Sequence, residues 1–232
     1  MKPRMMALTE EMVARCRRHV ADTGPEPGLG YLDEEDYARL LDATIAVRPP
    51  GPIWLFAYGS LIWKPEVDHI EERIATARGY HRAFCIHQTR WRGTLEQPGL
   101  MMGLMRGGQC QGVAFRLPAG DPSEVISRLI RREMTAKPST YLPTWLKLDT
   151  AHGPLAALGF AVNPKGRTFA GKRSDADVAH ILARACGHLG SGADYLFQTV
   201  RNLESRGIHD RCLWRLQQLV AAELAAGESD SV

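Results

Sequence analysis

The order of its periodicities constrains this chain most. Between residues 53 and 163 the apolar residues fall in short strand-like runs: "IWLFAY", "RIATARGYHRAFCIHQ", "GLMMGLMRGGQCQGVAFRL", "YLPTWLKLD" and "LAALGFAV". From about residue 174 onward they recur at helical spacing. Strands first and helices after predict an α+β fold, a mainly antiparallel sheet or small barrel with helices packed around it. The second run holds one or two strands. The third reads as a hairpin turning at Gly107-Gly108, where positive φ is needed, and the last two as a hairpin around "TAHGP". One helix interrupts them, "DPSEVISRLIRREM", with Asp121 as N-cap, Pro122 as first residue and Glu124 completing a capping box. Three more helices are expected at about 175–188, 192–206 and 210–226, the last two stopped by Gly207 and Gly227.

The first fifty residues read as a peripheral extension. One helix starts after Thr9 and another at Asp33–Asp36, separated by the loop "TGPEPGLGY" and closed by "RPPGP". The expected organisation is therefore a helical extension over 1–50 and a single domain over 51–232.

Composition narrows the function. With 44% hydrophobic and 24% charged residues the chain can bury a core. Its net charge of +3 suits a small anionic substrate, and no dense Lys/Arg stripe interleaved with aromatics marks a nucleic-acid binder. Five scattered cysteines without a CxxC pair predict reduced thiols, and hence a cytoplasmic protein. No signal peptide or membrane-length apolar run is read. The histidines form no HExxH or Cys/His cluster, so no metal site is expected. Walker, dinucleotide-binding and G-x-S-x-G patterns are absent as well.

Two places could carry chemistry. The strand "WLFAYGSLIW" breaks at Tyr58-Gly59-Ser60-Leu61. A glycine and a hydroxyl there make either a β-bulge or strand corner, or a nest of backbone N–H groups that binds a carboxylate or phosphate. On the helix at 121–134, Val125, Ile126, Leu129 and Ile130 share an arc of about 140°. Glu133 projects from the middle of that apolar face. It is either an end-of-helix glutamate paired with a neighbouring arginine, or a partly desolvated carboxylate of raised pKa suited to proton transfer.

"WLFAYGSLIWKPE", "GYHRAFC", "RGTLEQPG", "QGVAFRLP", "RREM" with "YLPTW", and "GSGADYLFQTVRNLESRGI" occur here in the order found in ChaC-type γ-glutamylcyclotransferases, bacterial branch. The chain resembles that family over roughly residues 53–222. The resemblance implies a mixed, mainly antiparallel small β-barrel with surrounding helices and no cofactor. It implies cleavage of glutathione to 5-oxoproline and Cys-Gly, with Glu133 as the catalytic acid/base. Tyr58, Gly59, Ser60 and Leu61 would cradle the γ-glutamyl group. Tyr141 would line the cleft, the alternative being a core tyrosine, and Arg82 or Arg92 would meet the far carboxylate unless they are plain surface residues. Two rivals stand beside it: a cyclotransferase for another γ-glutamyl amine or dipeptide, and a non-catalytic γ-glutamyl-ligand sensor that regulates cation transport.

Two departures from the family pattern are legible. Ala57 stands where glycine is frequent, which requires a negative φ. The stretch 134–140, "MTAKPST", is long for the family and lacks the glycine expected there.

Overall fold

In chain order, the computed structural model contains α1 (Glu10–Arg15), α2 (Glu34–Ala46), β1 (Trp54–Ala57), a 3-10 turn (Ser60–Ile62), β2 (Glu71–Gln88) and β3 (Gly99–Arg116). There follow α3 (Pro122–Glu133), β4 (Tyr141–Thr150), β5 (Leu155–Val162), α4 (Asp175–Arg184), β6 (Cys186–Gly187), β7 (Gly190–Ser191), α5 (Gly192–Glu204) and α6 (Arg211–Ser229). The structure describes residues 4–229. They divide into two compact units.

The barrel unit comprises Gly28–Ala83 and Gly103–Phe169. Its strands close in the order β1-β3-β2-β4-β5. β1 runs antiparallel to β3, from Trp54↔Arg116 to Ala57↔Val113, and parallel to β5 at Leu55↔Leu158. β4 and β5 form the expected hairpin, from Tyr141↔Val162 to Leu148↔Leu155. Closure is driven by apolar side chains from every wall, among them Leu55, Phe56, Leu104, Phe115, Leu148 and Phe160, all buried. Each such side chain contributes roughly 1.5–3 kcal/mol by leaving water. The α+β reading holds.

One local expectation fails. Gly107 and Gly108 do have positive φ, at 105° and 71°, yet β3 passes through them unbroken from Gly99 to Arg116. The strand continues there and forms no hairpin turn. Its neighbour β2 has its own left-handed glycine, Gly79 at φ 78°, and the His81 ring nitrogen Nδ1 lies 2.9 Å from the Gly107 carbonyl oxygen. A bulge and a tight turn call for the same glycine, so the residue types alone do not separate them.

The residues before the barrel are tied into this unit. Asp33 caps α2 in a reciprocal box with Asp36. The Tyr37 hydroxyl donates to the Met134 carbonyl at 2.9 Å, and the Trp145 indole N–H donates to the Thr44 carbonyl at 2.9 Å. At α3 the expected box is not the one formed, because the Asp121 carboxylate accepts from Ser123, one amide before Glu124.

The helical unit comprises the described parts of Met1–Pro27 and Ala170–Val232 with Phe84–Met102. The helix after Thr9 is shorter than its sequence suggests, six residues. α4 ends at Arg184, since Ala185 is extended and 186–191 fold into the small β6–β7 hairpin. α6 continues through Gly227 to Ser229. Two of the quoted sequence blocks meet here: the Arg92 guanidinium is 2.9 Å from Asp194 and donates to the Ser191 carbonyl at 3.1 Å. Among the described residues no helix is long and apolar enough to cross a membrane.

Candidate active site

β1 delivers the Tyr-Gly-Ser-Leu segment to one end of the barrel. The Tyr58 ring is buried, and its hydroxyl donates to the Phe160 carbonyl on β5 at 2.8 Å. Arg82 on β2 donates from Nε to the Tyr58 carbonyl at 2.6 Å and also reaches the Gln111 carbonyl. Ser60–Ile62 then turn as a 3-10 helix, with Ile62 N–H on the Gly59 carbonyl at 2.9 Å and Lys64 N–H on the Ser60 carbonyl at 2.8 Å. The first N–H groups of a helical turn have no acceptor inside it. Gly59, Ser60 and Leu61 hold those positions. The interruption is thus an anchored turn. Among the described residues Glu66 is the one non-glycine with positive φ, so Ala57 meets the condition its position sets.

Register brings Tyr141 to the same end. β1 and β5 run parallel with Leu55 opposite Leu158, so Tyr58 stands near the level of Ala161. Tyr141 opens β4 opposite Val162. It is half-buried, with its N–H on the Ser139 hydroxyl at 3.2 Å.

Glu133 is the last residue of α3, beyond the buried Ile126, Leu129 and Ile130. Its side chain is 14% exposed, and Oε1 lies 3.0 Å from Arg132 Nε. The structural parts of both sequence readings of Glu133 occur together. It ends a helix paired with an arginine, and it is desolvated. Burial pushes its carboxyl pKa above the ordinary carboxylate value, the charge and hydrogen bond of Arg132 pull against that, and Glu66 adds to the rise.

Arg132 extends to the segment after the turn, donating from Nη1 to the Pro65 carbonyl at 2.8 Å and approaching Glu66 Oε2 at 3.3 Å. The sequence reading gives Glu133 only a neighbouring arginine as partner and does not single out Glu66, which has no periodicity to mark it.

The long stretch 134–140 is stapled to the residues before the barrel. Leu32 N–H donates to the Thr135 carbonyl at 2.9 Å, Lys137 N–H to the Gly30 carbonyl at 2.8 Å, and Tyr31 bridges Ala136. The Lys137 ammonium is 2.6 Å from Asp36. Of the two arginines considered for a far carboxylate, Arg82 clasps the turn, and Arg92 is engaged with Asp194 in the helical unit.

The barrel unit thus carries a desolvated carboxylate of raised pKa and a turn whose first N–H groups have no acceptor within it, features of the kind that proton transfer on a small carbonyl or carboxylate substrate uses. The family model described as ChaC-like protein matches residues 53–223, and the chain belongs to that family. It is 39% identical over 200 residues to the glutathione-specific γ-glutamylcyclotransferase of Escherichia coli K12, covering 85% of this chain and 86% of that protein. It is 30% identical over 152 residues to the mouse glutathione-specific γ-glutamylcyclotransferase 1, covering 64% and 68%. The structure of a yeast γ-glutamyl cyclotransferase specific to glutathione superposes with a TM-score of 0.67 at 20% identity, covering 75% of this chain and 97% of that one. That likeness shows a shared fold.

Proposed function

We propose that this chain cleaves glutathione by intramolecular aminolysis, releasing 5-oxoproline and Cys-Gly in the cytoplasm, with residues 51–232 as the catalytic domain. The observation that carries this reading is the desolvated Glu133 on a chain similar to glutathione-specific γ-glutamylcyclotransferases. The substrate's α-amine arrives as an ammonium and must lose a proton before it can attack. Glu133 takes that proton. The amine nitrogen then bonds to the γ-carbonyl carbon and loses its second proton to water, and the bond from that carbon to the cysteine nitrogen breaks. That nitrogen takes one proton from Glu133 and one from water to leave as the ammonium, so one carboxylate of raised pKa serves both half-steps.

The tethered nucleophile leaves the enzyme mainly the task of folding the glutamyl chain. The N–H groups of Gly59–Leu61 are assigned to an anionic oxygen of the γ-glutamyl group, and Tyr141 to a substrate hydrogen bond. Ser60→Ala should reduce kcat/KM only about two- to tenfold, because the backbone donors remain and one hydrogen bond contributes about 1 kcal/mol. Complete loss in that variant would instead assign bond-making chemistry to the hydroxyl.

The test is incubation of the purified chain with glutathione and a panel of γ-glutamyl dipeptides and amines, following products by mass spectrometry. Equimolar 5-oxoproline and Cys-Gly are expected, with glutathione turned over fastest. Preferential turnover of another panel member would replace the substrate. Binding without turnover of any member would overturn the enzymatic reading in favour of a sensor.

A further inference from the structure

Arg132 reaches both halves of the site. Its Nε is 3.0 Å from the Glu133 carboxylate, while Nη1 donates to the Pro65 carbonyl at 2.8 Å and lies 3.3 Å from Glu66. The guanidinium is planar and rigid, so these contacts fix one another's geometry. Its side chain is 18% exposed, well shielded from water. Pro65 follows closely on the Tyr58–Leu61 turn, to which it is coupled through the Lys64 N–H on the Ser60 carbonyl at 2.8 Å.

The segment itself carries an independent mark. Glu66 sits at φ 55°, a left-handed conformation that is costly for a residue with a Cβ. Such strain persists where the surroundings over-determine it, and it concentrates at functional positions. Here the Glu66 carboxylate is held between Lys64 Nζ at 3.1 Å and Arg132.

We propose that Arg132 and Glu66 form a positioning pair that holds the Glu133 carboxylate in register with the Tyr58–Leu61 turn. This assignment rests on Glu133 being the base of the aminolysis. Neither residue touches the reacting atoms; both act through Glu133. Because one is a cation and the other an anion, they bias the protonation of Glu133 in opposite senses. The other charged groups nearby are engaged elsewhere. On α2, which packs against α3, Glu34 pairs with Arg131 at 2.6 Å and Asp36 with Lys137 at 2.6 Å, while the Tyr37 hydroxyl donates to the Met134 carbonyl. Tyr58 and Tyr141 at the barrel end stay in place in every variant below.

The test is the pH dependence of kcat/KM for glutathione in wild type, Arg132→Gln, Arg132→Lys, Glu66→Gln and Glu133→Gln, each checked for cooperative thermal unfolding. Arg132→Gln removes an attractive charge and should move the acidic limb up by about one pH unit or more. Glu66→Gln removes a repelling charge and should move it down. Loosening of the fold cannot produce opposite shifts. Arg132→Lys keeps the charge but loses the fork, so its limb should stay near wild type while kcat falls about 10–100-fold from misplacement.

Limbs that do not move, or that move in the same direction, overturn the pair if Glu133→Gln is inactive. Wild-type turnover in Glu133→Gln overturns the base assignment instead. The two failures are distinguishable.

Discussion

Glu133→Gln is expected to lower glutathione turnover by about 10²–10⁴-fold while leaving substrate binding within a few-fold of wild type. Glutamine keeps the shape and a hydrogen-bonding oxygen for Arg132 Nε, which lies 3.0 Å from the native carboxylate. It cannot accept the substrate's proton. Stability should move the other way. The Glu133 pKa is raised on folding from its ordinary value of 4.5 by burial, so the folded state binds the proton more tightly than the unfolded chain. The stability that Glu133 contributes is thus fully present below about 4.5, is lost as pH rises through the window up to the folded value, and stays lost above it. The glutamine variant lacks that loss, so its melting temperature at neutral pH should equal or exceed that of wild type. Kinetics at saturating glutathione, calorimetric binding and a thermal melt together check this. Wild-type turnover in a variant that binds glutathione would remove Glu133 from the mechanism.

Gly112→Ala should cost about 1–3 kcal/mol of stability and raise KM. A Cβ at position 112 would clash with the Ala57 carbonyl oxygen and lie 3.0 Å from two ring carbons of Phe56. The oxygen belongs to the backbone and the ring to a fully buried side chain, so neither can swing away. Ala57 is the last residue of β1, and the displacement is passed directly to Tyr58 and the turn. For a chain of this size each kcal/mol corresponds to a fall in Tm of about 2–4 °C. Gly120→Ala is the control: a Cβ there meets nothing within 4 Å, so melting and KM should be unchanged. A Gly112→Ala protein with wild-type Tm and KM would show that the turn tolerates movement of β1.

The element types were legible in the residues because local rules govern them. Thr9, Asp33, Asp121, Ser174 and Ser191 cap helices with their side chains, and the β4–β5 hairpin closes around Thr150 and Gly153 as its turn residues require. The break in "WLFAYGSLIW" and the glutamate on the apolar face of α3 were visible for the same reason. Each violates a period that its neighbours obey.

The errors fell where one residue type serves two geometries. Positive φ at Gly107 and Gly108 fits a turn and a bulge equally, and only the continuity of β3 from Gly99 to Arg116 beside β2 excludes the turn. Gly227 can end a helix, yet α6 runs through it.

By itself, then, the sequence determined the α+β class, the ends of several helices and the two anomalies from which a site is built, since capping, periodicity and turn chemistry act over a few residues. The tertiary structure decided what those anomalies mean. Strand register set Tyr141 and the Tyr58–Leu61 turn at one end of the barrel, and Arg132 joined Glu133 to Pro65 and Glu66, a span of more than sixty residues. Burial did the rest: the same carboxylate would be an ordinary acid in water, and its pKa rises because the folded chain removes its solvent.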